Sequence, residues 1–314
     1  MILALLTLVM PRADAQTVYA VVLGNQKHVV GSSTLHSGLF ATSDYGASWR
    51  HLGPENLKAF SFDAVDMQQG ATMFIAAGNG IHRSLDTGHT WKIVTDWRMT
   101  EVLDVKVDQK DPRWVYAATA FGFWRSSDGG ETWAEPAGAL LGRYVYRIDE
   151  LEWPGGIYAS SDSAIYESID YGQTWRRAFD YPSPHGFFQI GGASPIVAGG
   201  RGPVLLDGSM NGAVPHANSP EMNTYDIVFG RDATIYAAGE NGVWSLGSGY
   251  GMPRWEDITG TLPIRTIHAL AYLADRDVLL AGTWGEGVYR RAHTGWVPAG
   301  LADSQVWRLV TKPY

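Results

Sequence analysis

The sequence predicts an all-β fold built from repeated four-stranded antiparallel units, and three observations carry that expectation. The first is a motif, x-D-x-G-x-(S/T)-W, that recurs at one constant interval. It reads TSDYGASW at 42–49, RSLDTGHTW at 83–91, RSSDGGETW at 125–133 and ESIDYGQTW at 167–175, so Asp44, Asp86, Asp128 and Asp170 lie 42 residues apart. A fixed period of this length marks one supersecondary unit repeated along the chain. The second is a pair of short runs ahead of the motifs, such as TMFIAAG (72–78) with GIHRS (80–84), and WVYAATA (114–120) with GFWRS (122–126). Alternating aromatic and β-branched residues broken by Gly read as antiparallel hairpins. The third is a complement between the ends. The first unit lacks its innermost strand, and the last is followed by a surplus one, QVWRLVTK (305–312). Closing a ring uses both and protects the sheet edges. Together these predict a seven-bladed β-propeller of four-stranded antiparallel blades, closed by the C-terminal strand completing the first blade.

In chain order, residues 1–15 read as a secretory signal peptide: the apolar run MILALLTLVM, then an Ala13-Asp14-Ala15 cleavage site before Gln16. Residues 16–314 read as a single propeller. The first hairpin is VYAVVLG (18–24) and GLFATS (38–43), joined by a long loop over 24–37 that holds Lys27, His28 and His36. Units two to four follow the pattern closely, each with a strand upstream, such as VLDVKV (102–107), and one after the Trp, such as WKIV (91–94). The fifth unit, at 195–209, keeps only its hairpin. The sixth (235–255) and seventh (278–296) keep the hairpin and the Trp but lose the Asp.

Composition excludes several functions. Lys+Arg is 24 against Asp+Glu 32, a net charge of -8, whereas a nucleic-acid surface needs clustered cations. With no Cys there is no disulfide framework, thiolate metal site or cysteine nucleophile. No apolar run approaches the roughly 20 residues of a membrane-spanning helix. The nine histidines show no H-x-H or H-E-x-x-H spacing, so no metal and no cofactor is expected. No nucleophile elbow or phosphate-binding loop is present either.

The motif's chemistry is local. Each Asp accepts hydrogen bonds from backbone N–H groups of the tight turn that follows. Gly46, Gly88, Gly130 and Gly172 permit a positive φ, and Trp49, Trp91, Trp133 and Trp175 fold back to pack between strands or blades. These residues resemble the Asp-box, or BNR, repeat, S/T-x-D-x-G-x-T-W. Families sharing it include sialidases, xyloglucan-active glycosidases, sortilin-type receptors and the photosystem II assembly and stability factors. The pattern is most similar to the last group. The resemblance implies a propeller whose boxes lie away from the functional face; fold transfers and function does not.

Function is therefore expected in unrepeated residues. The loops joining each blade's outermost strand to the next blade's innermost one carry Lys58, Trp97, Arg98, Glu101, Arg143, Tyr144, Tyr146, Arg147, His185, Phe187, Phe188, His216, Tyr225, Arg265, His268 and Trp307. Planar Arg donors hold carboxylates, and aromatic faces cover sugar or peptide. Arg98, Arg143, Tyr146, Arg147, His185, Phe188, Tyr225, Arg265, His268 and Trp307 are the candidate ligand-binding residues. The resulting expectation is an exported, non-catalytic recognition or assembly propeller whose partner is a protein, peptide or glycan. The alternative is a glycoside hydrolase. A sialidase-like reading rests on Tyr146-Arg147-Ile148-Asp149, the nearest match to that family's F/Y-R-I-P arginine motif, with the Pro replaced and the position after the third box. A xyloglucanase-like reading needs an acid–base carboxylate pair, and Asp63, Glu101, Asp104, Asp149 and Asp226 are scattered along the chain.

Overall fold

The computed structural model describes residues 16–25, 37–67, 70–150, 155–180, 187–191, 194–198, 203–206, 213–215, 219–247 and 254–312. The leader and most of the 24–37 loop lie outside them. The described residues form antiparallel sheets whose strands run from the centre outward in chain order. In the first sheet the order is Ser304–Lys312, Thr17–Asn25, Gly38–Thr42 and Arg50–Leu52, so the C-terminal strand is innermost. The second runs Ala59–Met67, Gly70–Ala77, Gly80–Ser84 and Lys92–Ile93, and the third Val102–Val107, Val115–Thr119 and Gly122–Ser126. The innermost strands of the remaining four are Val145–Glu150, Phe187–Gly191, Thr224–Phe229 and Ile267–Leu273. Each inner strand packs beside the next, and the seventh beside the first, closing the ring.

This corrects the expectation of seven four-stranded blades. Among the described residues six sheets, not seven, are four-stranded blades, and the third unit has three strands. Its fourth strand is reduced to one bridge, Arg125 to Ala134. Pro136 follows two residues later, has no N–H to donate, and lies against Gly122 at the start of the strand it would have paired.

The core is divided among the seams between sheets. Tyr19, Leu39, Phe62, Met73 and Ile75 fill the seam between the first and second sheets, and Phe74, Ile81, Val105 and Trp124 that between the second and third. The repeated turns lock these seams from outside. In the second sheet, the Ser84 hydroxyl donates to Asp86 (2.7 Å) and accepts from the Gly88 amide (2.8 Å). Asp86 also accepts from the Thr90 amide (2.8 Å) and hydroxyl (2.6 Å). The set recurs around Asp44, Asp128 and Asp170, with Thr42, Ser126 and Ser168 as the leading hydroxyls. The turn then projects its Trp across the seam. The Trp49 indole donates to Ala299 O (2.7 Å) and that of Trp133 to Val94 O (3.0 Å), each on the preceding sheet.

An inner set of staples does the same at the centre. Asp63 accepts from the Val107 amide (2.9 Å), Asp104 from Ile148 (2.9 Å) and Asp226 from Leu270 (2.8 Å), each time reaching the next inner strand. These buried carboxylates are structural acceptors first.

Candidate functional site

Six inner strands share one irregularity at the same end. Their pairing slips by one residue at Phe60, Leu103, Tyr146, Tyr225, His268 and Trp307, each of which forms a bulge in its strand. A bulge of this kind re-aims a side chain. All six line one central cavity of about 800 Å3, together with Lys58, Gly78, Glu101, Tyr144, Arg147, Asp226 and Arg308. The residues after the bulges are Ser61, Asp104, Arg147, Asp226, Ala269 and Arg308; of these Arg147, Asp226 and Arg308 line the cavity as its floor, and Ser61, Asp104 and Ala269 are buried.

The wall is largely aromatic. Tyr225 and His268 stack with centroids 4.2 Å apart and planes 9° apart, and His268 stacks on Trp307 at 5.1 Å. Trp284 closes this group from behind, 4.4 Å from His268. Across the cavity, Tyr144 and Tyr146 pack at 4.5 Å. Burial raises both hydroxyls' pKa values, with Glu101 adding to it at Tyr144.

The floor is ionic and internally matched. Arg308 donates to Asp104 (2.7 Å) and to the Ser61 hydroxyl (2.8 Å), and Ser61 donates to Asp104. Arg147 faces Asp226 at 3.7 Å. Burial, and then the neighbouring Arg308 charge, pulls Arg147 down to about 10. Burial pushes Asp226 up against the opposing pull of Arg147. At Asp104 burial pushes the same way, but Arg308, Lys106 and Arg147 outweigh it and hold the carboxyl below its ordinary value. Arg147, Asp226 and Arg308 also line a second pocket of about 290 Å3 beneath, so they partition the channel.

Of the residues expected from sequence, Tyr146, Arg147, Tyr225, His268 and Trp307 meet in the cavity. Arg98, Arg143 and Arg265 stand outside its lining, each with local partners: Arg98 with Asp96 and Glu135, Arg143 with the Ala139 carbonyl, Arg265 with Asp257 and Asn241. His185 lies outside the described residues, as does the Phe188 side chain. Sequence reasoning missed Phe60, Leu103 and Arg308. A spacing held the clue: Phe60, Leu103 and Tyr146 are 43 residues apart in turn, as are Tyr225 and His268. Among the described residues no group of three or more His, Asp or Glu side chains is placed to hold a metal ion.

No protein-family model matches the chain, and no curated protein does. Solved structures do. YCF48 bound to D1 peptide is 13% identical with a TM-score of 0.60, over 83% of this chain and 84% of that one. YCF48 from Cyanidioschyzon merolae is 15% identical with a TM-score of 0.61, over 84% and 88%. The fold is a β-propeller. The same propeller fold is shared with the GH74 xyloglucanase from Xanthomonas campestris, 15% identical with a TM-score of 0.64, over 94% of this chain and 52% of the enzyme. At these identities the likeness is one of fold.

Proposed function

We propose that the chain is an exported, non-catalytic Asp-box propeller that binds a peptide segment of a protein partner in its central cavity. The observation that carries this reading is the cavity itself: an aromatic wall built on six bulges above a floor of matched ion pairs. Such a wall offers broad apolar contact, and its volume falls within the roughly 300–1,000 Å3 of ordinary ligand sites. The similarity to a propeller described as bound to a peptide supports a peptide over a glycan. Export rests on the leader-like residues 1–15.

The hydrolase alternative needs one carboxylate to give a proton and another to take one or attack. Two carboxylates line the cavity, Glu101 and Asp226. Asp226 is already engaged by the Leu270 amide and faces Arg147. That commitment disfavours it as a reacting group.

The test is selection of a random peptide display library on residues 16–314, followed by calorimetry with the selected synthetic peptides. Trp307→Ala and Tyr225→Ala are expected to weaken binding by about tenfold or more each, as central aromatic anchors do. Selected peptides that bind both variants as tightly as wild type would place the site elsewhere. Product release from sialosides or β-glucan oligosaccharides, lost in Arg147→Ala, would replace the reading with a hydrolase.

A further inference from the structure

The leader-like residues and the ring meet at Gln16. Cleavage after Ala15 leaves Gln16 as the first residue of the mature chain, one place ahead of the strand Thr17–Asn25. A chain terminus stays ordered only where something ties it down. Gln16 is half-buried, and its side-chain carbonyl accepts from the Ala274 amide (3.0 Å), in the turn that follows the innermost strand of the seventh sheet. That turn is itself held on both sides. Arg231 of the sixth sheet donates to the Ala274 carbonyl (3.2 Å), and the Tyr45 hydroxyl of the first donates to Asp275 (2.7 Å). The Gln16 side chain therefore reaches from the first sheet to a fixed amide of the seventh, across the seam where the ring closes.

An N-terminal glutamine carries a nucleophile and an electrophile in one residue. Its neutral α-amine attacks its own Cδ and closes a lactam ring, an intramolecular step that needs no second molecule to be brought up. A bond forms between the α-nitrogen and Cδ, the bond from Cδ to Nε2 breaks, and Nε2 leaves as ammonia with the proton that the amine gives up. No oxidant, water or other reactant is consumed. Negative charge develops on Oε1 as the amine adds, and Oε1 is the atom that the Ala274 amide meets. A backbone donor fixed at that oxygen stabilises the tetrahedral stage as an oxyanion hole does. The ring keeps this carbonyl as an acceptor and replaces a charged terminus with a neutral one, beside Thr17, whose strand partner is Lys312. We propose that Gln16 is a modification site, converted to pyroglutamate in the exported chain, with the Ala274 amide as the donor that promotes ring closure. This rests on the removal of residues 1–15 and not on what the cavity binds.

The test has two arms. In the first, a fusion is cut so that Gln16 becomes the first residue, and the intact mass is followed in neutral buffer beside a synthetic peptide of residues 16–21. The folded chain is expected to lose one ammonia about tenfold faster than the peptide, a modest share of what a buried oxyanion donor contributes. Ala274→Pro, which has no amide hydrogen to donate, should slow the loss toward the peptide's rate. Unfolding the wild-type chain in urea should do the same. A folded chain that keeps its glutamine, or cyclises no faster than the peptide or the urea-unfolded chain, would overturn the proposal. In the second arm the full 1–314 chain is expressed in a secreting host, and its N-terminal peptide is sequenced by mass spectrometry. Pyroglutamate at position 16 is the expected result. An unmodified Gln16 in first place would overturn the proposal and leave export standing. Retention of residues 1–15 would instead fail the export reading, and the proposal with it.

Discussion

The outer turns and the inner strand entrances both recur around the ring, yet they recur in different ways. At the outer edge the same atoms return each time: a hydroxyl, the Asp carboxylate two residues on, and an amide and hydroxyl four beyond that. At the inner edge the backbone slip returns, but the side chain it presents changes from Phe60 to Leu103, Tyr146, Tyr225, His268 and Trp307. Where the turn itself is the product, only one set of side chains makes its hydrogen bonds. Where the slip aims a side chain at a shared space, its identity is free to serve whatever occupies that space. The electrostatics divide in the same way. Hydrogen bonds from Ser48 and Thr42, and from Thr132 and Ser126, overcome burial and bring Asp44 and Asp128 down to about 2. Burial wins at Asp149, Asp226 and Glu150 on the inner strands and raises them.

The comparison breaks most sharply if the inner ring is only a lining. Arg308→Ala tests this, because it leaves the wholly buried Asp104 without its nearest cation. Removing one partner of a buried pair costs about 3–5 kcal/mol, which urea unfolding would register as a lower midpoint. Replacing both, in Asp104→Asn/Arg308→Met, should recover part of that loss, since no charge is then left buried alone. A single variant within 1 kcal/mol of wild type, on the order of ordinary surface changes, would show that the floor contributes little to closing the ring.

The outer turns are sharpened by a smaller contrast. Gly172 and Gly129 both have φ of +73°, but a Cβ at Gly172 would meet Phe123 Cε1 at 2.5 Å, and one at Gly129 meets nothing within 4 Å. Phe123 belongs to the preceding sheet and already packs edge-on against Trp175 at 4.7 Å. Gly129→Ala should cost about 1–2 kcal/mol, the left-handed backbone alone. Gly172→Ala adds overpacking of about 1–3 kcal/mol to that. Equal losses in thermal unfolding would mean that the turn glycines serve backbone conformation and not the seam.

What was legible in the sequence follows the same division. The turns were readable because their function fixes residue type: the hydroxyl, Asp, Gly and Trp are visible as letters. The ring closure by 305–312 was readable because an unmatched strand at each end has one partner. The missing fourth strand of the third unit was not, since Pro136 breaks a pairing that the preceding Trp133-Ala134 begins. The loop positions of Tyr146, Arg147, Tyr225, His268 and Trp307 place them at one end of the ring, where the structure brings them into one cavity. Arg98 and Arg265 stand outside the cavity lining for a physical reason. A loop arginine is drawn to the nearest carboxylate, and Asp96 and Asp257 lie two and eight residues away in the chain. Phe60 and Leu103 were hidden because a bulge is a property of strand pairing, and apolar letters in a strand read as core.

A last contrast between the two regions concerns pH. Glu150 closes the innermost strand of the fourth sheet, at the far end from its bulge. Its Oε1 is buried without a hydrogen-bond partner among the described residues, and Oε2 faces the Gln109 amide at 3.5 Å. Burial, then the Asp63 charge, pushes it from 4.5 to about 7, with Asp108 adding and Lys106 opposing. A carboxyl raised on folding binds its proton more tightly in the native state, so the native state is favoured below the unfolded value and loses that advantage as pH rises through about 7. The turn aspartates act in the reverse sense and withdraw their stabilisation only as pH falls toward about 2. Between pH 4.5 and 7 the Glu150 carboxyl therefore changes its contribution while the turn aspartates keep theirs. Glu150→Gln removes that carboxyl: the midpoint of thermal unfolding should rise at pH 8, change little at pH 5, and vary less between them than in wild type. A variant whose midpoint keeps the wild-type slope would move the titrating group to another inner-strand carboxyl, with Asp149 and Asp226 the next to be replaced by Asn.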